Sequence, residues 1–199
     1  YDDTNPVANR DPRLAASVLY NGVTWGQATT TKTNVIDVTA GGRDNPSGNA
    51  NATPTGYYVR KYIPEVILNN NHAGSSYRNW IISRYAEILL DYVEALNEVD
   101  FAANKNEVCN LLDQIRHRAG IMGNVGDRTD LNSQEAMRNF IHKERTIELA
   151  FEEHRCWDVR RWNVAKEALG RDIYGVNVTK KDGRDVYTRK VAQNRVFQD

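Results

Sequence analysis

The chain has 199 residues, 26 basic and 26 acidic side chains, 40% apolar residues, four Trp, ten Tyr and two Cys. That length suits one domain or part of a larger one, and the lack of any basic excess excludes a general phosphate-binding, nucleic-acid surface. No run of consecutive apolar residues exceeds three, as in Trp80-Ile81-Ile82, so no segment is long enough to cross a bilayer as a helix. The zero net charge sums unlike parts: residues 1–78 carry 7 Lys/Arg and 6 Asp/Glu, residues 79–137 carry 5 and 10, and residues 138–199 carry 14 and 10, giving +1, −5 and +4.

Residues 1–78 show little helical periodicity and many turn formers, including Asn5-Pro6, Asn21-Gly22, Gly41-Gly42 and Asn69-Asn70-Asn71. The stretch from Ala40 to Gly56 contains no large apolar residue and reads as a loop. Short alternating segments beside it, Thr33 to Thr39 and Tyr57 to Ile63, read as strands or extended ribbon. A compact domain seldom gives its first third to loose chain, so the sequence is expected to be a fragment against which further chain packs. The chain opens at Tyr1 with neither an initiator Met nor a charged-then-apolar leader, so any targeting signal is expected to have been removed or to lie upstream.

From Arg78 the period becomes 3.6, with Ile81, Tyr85, Ile88, Leu89, Tyr92, Leu96 and Val99 predicted as the apolar stripe of a long helix. Glu87, Asp91, Glu94 and Glu98 fall within about 60° of one another on the opposite face. A break around Asn104-Lys105-Asn106 should lead to an antiparallel second helix through Val108, Leu111, Leu112 and Ile115, stopped by Gly120. Asn132 and Glu135 resemble a capping box opening a third helix, which runs through Met137, Phe140, Ile141, Ile147 and Phe151 to a bend near His154. A hairpin is predicted from Ile173 to Thr179 and from Arg184 to Val191 around Asp182-Gly183. Cys109 and Cys156 lie in helical patterns without metal-ligand spacing and are expected as buried free thiols.

Enzyme chemistry finds little support in the residues. Glu152 and Glu153 are adjacent on a helix, point about 100° apart and cannot face each other across a substrate. No HExxH, CxxC or P-loop string occurs, and the four His lie in separate elements without a placeable nucleophile. Asp44 with Asn45, Asn49 and Asn51 is oxygen-rich but lacks EF-hand spacing. No catalytic residue, metal or cofactor is therefore assigned. The acidic segment followed by one containing Arg145, Arg155, Arg160 and Arg161 predicts helices that meet through Arg–carboxylate pairs. The 21 Asn beside ten Tyr and four Trp suit carbohydrate binding, where aromatic faces stack on C–H surfaces and amides bind hydroxyls. The candidate ligand residues are Trp25, Asn21, Asn45 and Tyr57, with Trp25 expected to be exposed.

Three strings carry a resemblance: NWIISRYAEILLDYVEALNE from Asn79 to Glu98, LLDQIRHRAGI from Leu111 to Ile121, and ERTIELAFEEHRCWDVRRW from Glu144 to Trp162. In this order they strongly resemble the SusD/RagB family, helped upstream by RDPRLAASVLYNG from Arg10 and GYYVRKY from Gly56. The resemblance implies a mainly α fold, a TPR-like helical superhelix with an irregular loop-rich region, here joined by a small β-hairpin. Residues 1–78 would be the loop-rich region, 79–169 the TPR-like helices and 170–199 the hairpin and extended segment, all of one larger domain. It also implies a non-catalytic surface lipoprotein of the outer membrane, anchored through an upstream lipidated Cys, that binds an oligosaccharide and delivers it to a SusC-like TonB-dependent transporter. Peptide binding within the family, a general TPR-like interaction module and a glycoside hydrolase are the competing readings. Glu153 stands where the family often has Gly, which predicts a weaker bend, and Cys156 replaces a usual aromatic.

Overall fold

The computed structural model describes residues 5–26, 34–63 and 80–197. The chain divides into two compact units, one of Tyr1–Arg10, Leu14–Arg78 and Val159–Asp199, the other of Asp11–Arg13 and Asn79–Asp158. Its longer elements are α-helical, with two small antiparallel sheets.

The second unit is built on α2 (Tyr85–Arg118), which is two helices in one run. Asp100 leaves the helical region at φ −161°, ψ 95°, and its carboxylate accepts the Ala103 N–H at 3.0 Å, capping the arm that follows. Tyr92 Oη donates to Glu107 at 3.0 Å and the Asn104 amide to the Leu96 carbonyl at 3.1 Å. Residues 15 apart would lie about 22 Å apart along a straight helix, so the arms fold back antiparallel, as expected. The break falls at Asp100, earlier than the Asn104–Asn106 expected, because Asp100 leaves the helical region and caps the next arm there. Gly120, at φ +84°, closes the second arm: its N–H reaches the His117 carbonyl and that of Ile121 the Arg116 carbonyl, a Schellman ending.

α3 (Gln134–Glu148) is capped by Ser133, whose hydroxyl accepts the Ala136 N–H, one residue later than the Asn132 cap expected. The helix stops at Glu148, and a turn in which Phe151 and Glu153 both stand at φ +66° leads to α4 (His154–Arg161). The bend is retained although a glutamate occupies the position expected to oppose it, so Glu153 itself bears the left-handed backbone. Leu90, Val93, Val108, Leu112, Met137 and Ile141 have no exposed surface and form the core of this unit.

The face that α2 turns inward differs from the predicted stripe. Leu89 is buried and Leu96 packs on the core, but Tyr85, Ile88, Tyr92 and Val99 are exposed, and the inner face is completed by Leu90, Val93 and the fully buried Asn97. The acidic stripe meets α3 and α4 as a ladder: Glu98 with Arg138 at 2.6 Å, Glu94 with His142 at 3.5 Å, Asp91 with Arg145 at 2.6 Å and Glu87 with His154 at 3.6 Å.

In the other unit, α1 (Arg13–Ser17) runs into β1 (Val18–Leu19), which pairs antiparallel with β2 (Tyr58–Val59). A short helix, α5 (Ala165–Leu169), precedes the hairpin β3 (Ile173–Lys181) and β4 (Arg184–Gln193). Asp182 at φ 50° and Gly183 at φ 76° form the two-residue turn with both residues left-handed that the Asp-Gly pair predicts. Leu19, Trp25, Ile36, Val38, Val176 and Val178 are the buried cluster of this unit. The loop between residues 40 and 56 is clipped to the edge of β3 at both ends, Ala40 N–H to the Val178 carbonyl at 2.9 Å and Val176 N–H to the Thr55 carbonyl at 2.8 Å. A Cβ on Gly175 would lie 2.5 Å from the Thr55 carbonyl oxygen, so this approach needs glycine. Of the two ribbons expected, Tyr57–Ile63 supplies β2, and the described part of Thr33–Thr39 makes only isolated bridges, Thr24 with Val35 and Thr39 with Val178; Thr33 lies outside the described residues.

Candidate functional site

The four candidate ligand residues all lie in the loop-rich unit, and their side chains are largely committed to it. Asn21 is 9% exposed; its carbonyl accepts the Val38 N–H at 3.1 Å and its amide donates to Asp185 at 2.8 Å and to Tyr187 Oη at 3.2 Å. Asn45 donates to the Val38 carbonyl at 2.7 Å and accepts from the backbone and hydroxyl of Ser47. Tyr57 is half-buried against the cluster. Asn21 and Tyr57 come together with Pro6, Val7, Tyr20, Val176 and Tyr187 around a crevice of about 10 Å³, room for a single water.

Trp25 is corrected. It is 8% exposed, one of the six residues of the buried cluster, with the Arg60 guanidinium 5.4 Å from its ring centroid. A segment with few other large apolar groups uses its tryptophan as core, because no smaller residue buries as much surface. Asp44 also turns inward. Its carboxylate accepts the Asp37 N–H at 2.9 Å and the Arg43 guanidinium at 2.8 Å, while Tyr58 Oη donates to its carbonyl. The Thr39 hydroxyl and N–H hold the Asp37 carboxyl below the usual range, outweighing its burial. Among the described residues no group of three or more His, Cys, Asp or Glu is arranged to hold a metal. Cys109 is buried, whereas Cys156 is exposed, contrary to expectation.

The denser polar assembly is in the helical unit. Arg13 contacts Glu144 at 2.5 Å and Glu148 at 3.0 Å, and binds Asp11 at 2.6 Å; Arg116 binds Glu144 at 3.0 Å. Arg84 binds Glu148 at 2.7 Å and Glu152 at 2.6 Å, and Arg118 also reaches Glu148. Burial alone would push the Glu148 carboxyl up, but hydrogen bonds from Arg84 and Arg13 outweigh it and hold the group below its ordinary range. Arg13 is likewise buried, yet Asp11, Glu144 and Glu148 keep it firmly protonated. The predicted Arg–carboxylate seam exists, with Arg145 among its members. The four guanidiniums on Glu144 and Glu148, those of Arg13, Arg84, Arg116 and Arg118, belong to no predicted pair.

The SusD family model matches residues 1–199. The chain belongs to the SusD family. Two curated SusD-like proteins of Formosa agariphila are similar to it: protein P2, 36% identical over 125 residues, 60% of this chain and 23% of that protein, and protein P38, 35% identical over 96 residues, 46% and 18%. A SusD-like protein from Bacteroides fragilis has a similar structure, with a TM-score of 0.77 and 29% identity over 97% of this chain and 35% of that one. A SusD-like carbohydrate-binding protein from the same species matches all of this chain and 39% of its own, with a TM-score of 0.68 and 26% identity. The chain thus spans about a fifth of the curated SusD-like relatives it matches and somewhat over a third of the solved ones.

The three strings that carry the SusD resemblance also supply most of the ion network, to which the upstream string adds Asp11 and Arg13. Arg84 comes from the first, Arg116 and Arg118 from the second, and Glu144, Arg145, Glu148 and Glu152 from the third. Such a cluster of planar guanidiniums and carboxylates fixes how helices meet.

Proposed function

We propose that the full-length protein is a non-catalytic, cell-surface carbohydrate-binding component, held on the outer membrane by a lipid anchor upstream of these residues, which captures oligosaccharides and hands them to a SusC-like TonB-dependent transporter. The observation that carries this reading is membership of the SusD family over residues 1–199, joined to the likeness to a solved protein described as SusD-like and carbohydrate-binding. Binding without reaction suits the deepest carboxylates: Glu144 and Glu148 are each held by at least two guanidiniums, and those on Glu148 keep its carboxyl below the ordinary range, which makes it a poor proton donor. Of the four candidate residues, Tyr57 and Asn45 keep some exposed surface and are the two assigned to touch ligand; Asn21 and Trp25 hold the surface beneath them.

Calorimetric titration of the full-length protein with a panel of oligosaccharides tests this, alongside Tyr57→Ala and an assay for reducing sugar released by the purified protein. Saturable sugar binding without turnover is the expected result. Turnover of any glycan would overturn the non-catalytic reading, and peptide binding in the absence of sugar binding would overturn the ligand class.

A further inference from the structure

The β3–β4 hairpin sorts its charges by face. Val176 and Val178 lie in the buried cluster, so they and their cross-strand partners Arg189 and Tyr187 make the inward face. Charges on that side are engaged: Arg189 stacks over the Tyr174 ring, and Asp185 accepts the Asn21 amide with Lys180 4.0 Å away. The intervening residues make the outward face. Lys181 pairs there with Arg184, Thr179 with Val186 and Asn177 with Thr188, and Lys190 stands opposite Gly175. This face holds three cations and no carboxylate, Asp182 being in the turn. Lys181, Arg184 and Lys190 make no ion pair with any described residue.

The helical unit differs, since Arg84, Arg116, Arg138 and Arg145 there all meet carboxylates. Lys181 and Arg184 are also directly opposite each other, and like charges in that position destabilise a strand pair. The turn needs only the left-handed backbone of Asp182 and Gly183, so the repulsion serves no folding purpose. An anion held between the two converts it into attraction, most strongly through the planar Arg184 guanidinium. Lys190 lies six residues further along β4, about 20 Å away, and the Thr179 and Thr188 hydroxyls and the Asn177 amide fill the interval. A ligand that uses the whole face is therefore extended, rich in hydroxyls and negatively charged at intervals.

We propose that the outward face of the hairpin binds an anionic oligosaccharide, Lys181 and Arg184 sharing one acidic group and Lys190 holding a second. The inference rests on the carbohydrate-binding reading above and narrows it to glycans that bear carboxylate or sulfate groups.

The test is calorimetric titration of the full-length protein with maltohexaose, hexagalacturonate and a heparin hexasaccharide, the second carrying carboxylates only and the third sulfates as well. At least one charged probe should bind more tightly than maltohexaose. The double variant Lys181→Ala/Arg184→Ala should weaken that probe at least about tenfold and leave the Tm no lower, because a like-charge pair has been removed. Arg184→Lys, which keeps the charge, should retain most of the affinity. Unchanged affinity in the double variant would overturn the proposal. So would a short single-stranded DNA that binds as tightly as the charged glycan, since the face would then be a general polyanion surface. Binding of maltohexaose without preference for either charged probe would overturn this proposal and leave the carbohydrate reading standing, whereas binding of no sugar, charged or neutral, would remove both.

Discussion

Arg145 and Asp158 face each other in a buried pair, the guanidinium Nε lying 3.0 and 2.9 Å from the two carboxylate oxygens, with both side chains at most 5% exposed. The pair joins α3 to α4 across the turn containing Phe151 and Glu153, while the same arginine reaches Asp91 on α2 at 2.6 Å. One planar group thus fixes three helical segments, which a point charge on a lysine cannot do with the same geometry.

Arg145→Ala would take the Arg145 guanidinium away from the buried Asp158 carboxylate. The expected cost is about 3–5 kcal/mol, the range for removing one partner of a buried pair. Urea unfolding of the full-length protein checks it, and Asp158→Asn combined with Arg145→Met should recover part of the loss. A change within the error of the urea midpoint for Arg145→Ala would show that the pair is dispensable.

Acid stability follows from the buried carboxylates. Glu148 and Asp11 both have folded-state pKa values below their ordinary ones, Asp11 through the Arg13 side-chain hydrogen bond and Glu148 because Arg84 and Arg13 overcome its burial. A depressed carboxyl contributes stability that is fully present above its unfolded pKa, about 4, and is lost as pH falls through the lower folded value. The Tm should therefore be flat from pH 8 to about pH 5 and decline below about pH 4. In Glu148→Gln the Tm at pH 7 should be lower and the acid decline shallower; an unchanged acid slope would remove Glu148 from the account.

The parts of the fold legible in sequence are those specified locally. The Asp182-Gly183 turn, the Gly120 stop and the antiparallel return of α2 each rest on a few adjacent residues whose backbone preferences leave little choice. The inward face of α2 was not legible, because Tyr85, Ile88, Tyr92 and Val99 satisfy helical periodicity as well as Leu89 and Val93 do. Periodicity reports an apolar stripe, and nothing in it says which neighbour packs on it. The roles of Arg13 and Arg84 were hidden for a similar reason: their partner Glu148 is 135 and 64 residues away. In the candidate site the burial of Trp25 was not legible. A tryptophan among turn formers reads as exposed only until Leu19, Val38, Val176 and Val178, drawn from three distant segments, are placed around it.

The α3–α4 turn offers a substitution that should stabilise. Glu153 is exposed and holds φ +66°, a conformation costing an L-residue about 1–2 kcal/mol, whereas glycine adopts it freely at an unfolded-state entropy cost of about 0.5–1 kcal/mol. Glu153→Gly is therefore expected to raise stability by up to about 1 kcal/mol, read as a small upward shift of the urea midpoint. Glu153→Val, β-branched at a left-handed position, should shift it downward. A lower midpoint for the glycine variant would mean that the Glu153 side chain contributes more than its backbone costs.

Trp25 separates a core role from a ligand role. Its ring is 8% exposed among Leu19, Ile36, Val38, Val176 and Val178, so Trp25→Ala should cost about 3–5 kcal/mol, as large aromatic truncations in cores do. Trp25→Phe keeps most of the apolar volume and should retain most of the stability. Comparing the two resolves what either alone leaves mixed. If Trp25 acts through packing, ligand affinity measured below each variant's unfolding temperature should be near wild type for Trp25→Phe, and any loss in Trp25→Ala should scale with its loss of stability. A Trp25→Phe protein that is stable yet has lost sugar binding would place the indole in contact with ligand, and the burial seen here would then describe only the unbound chain.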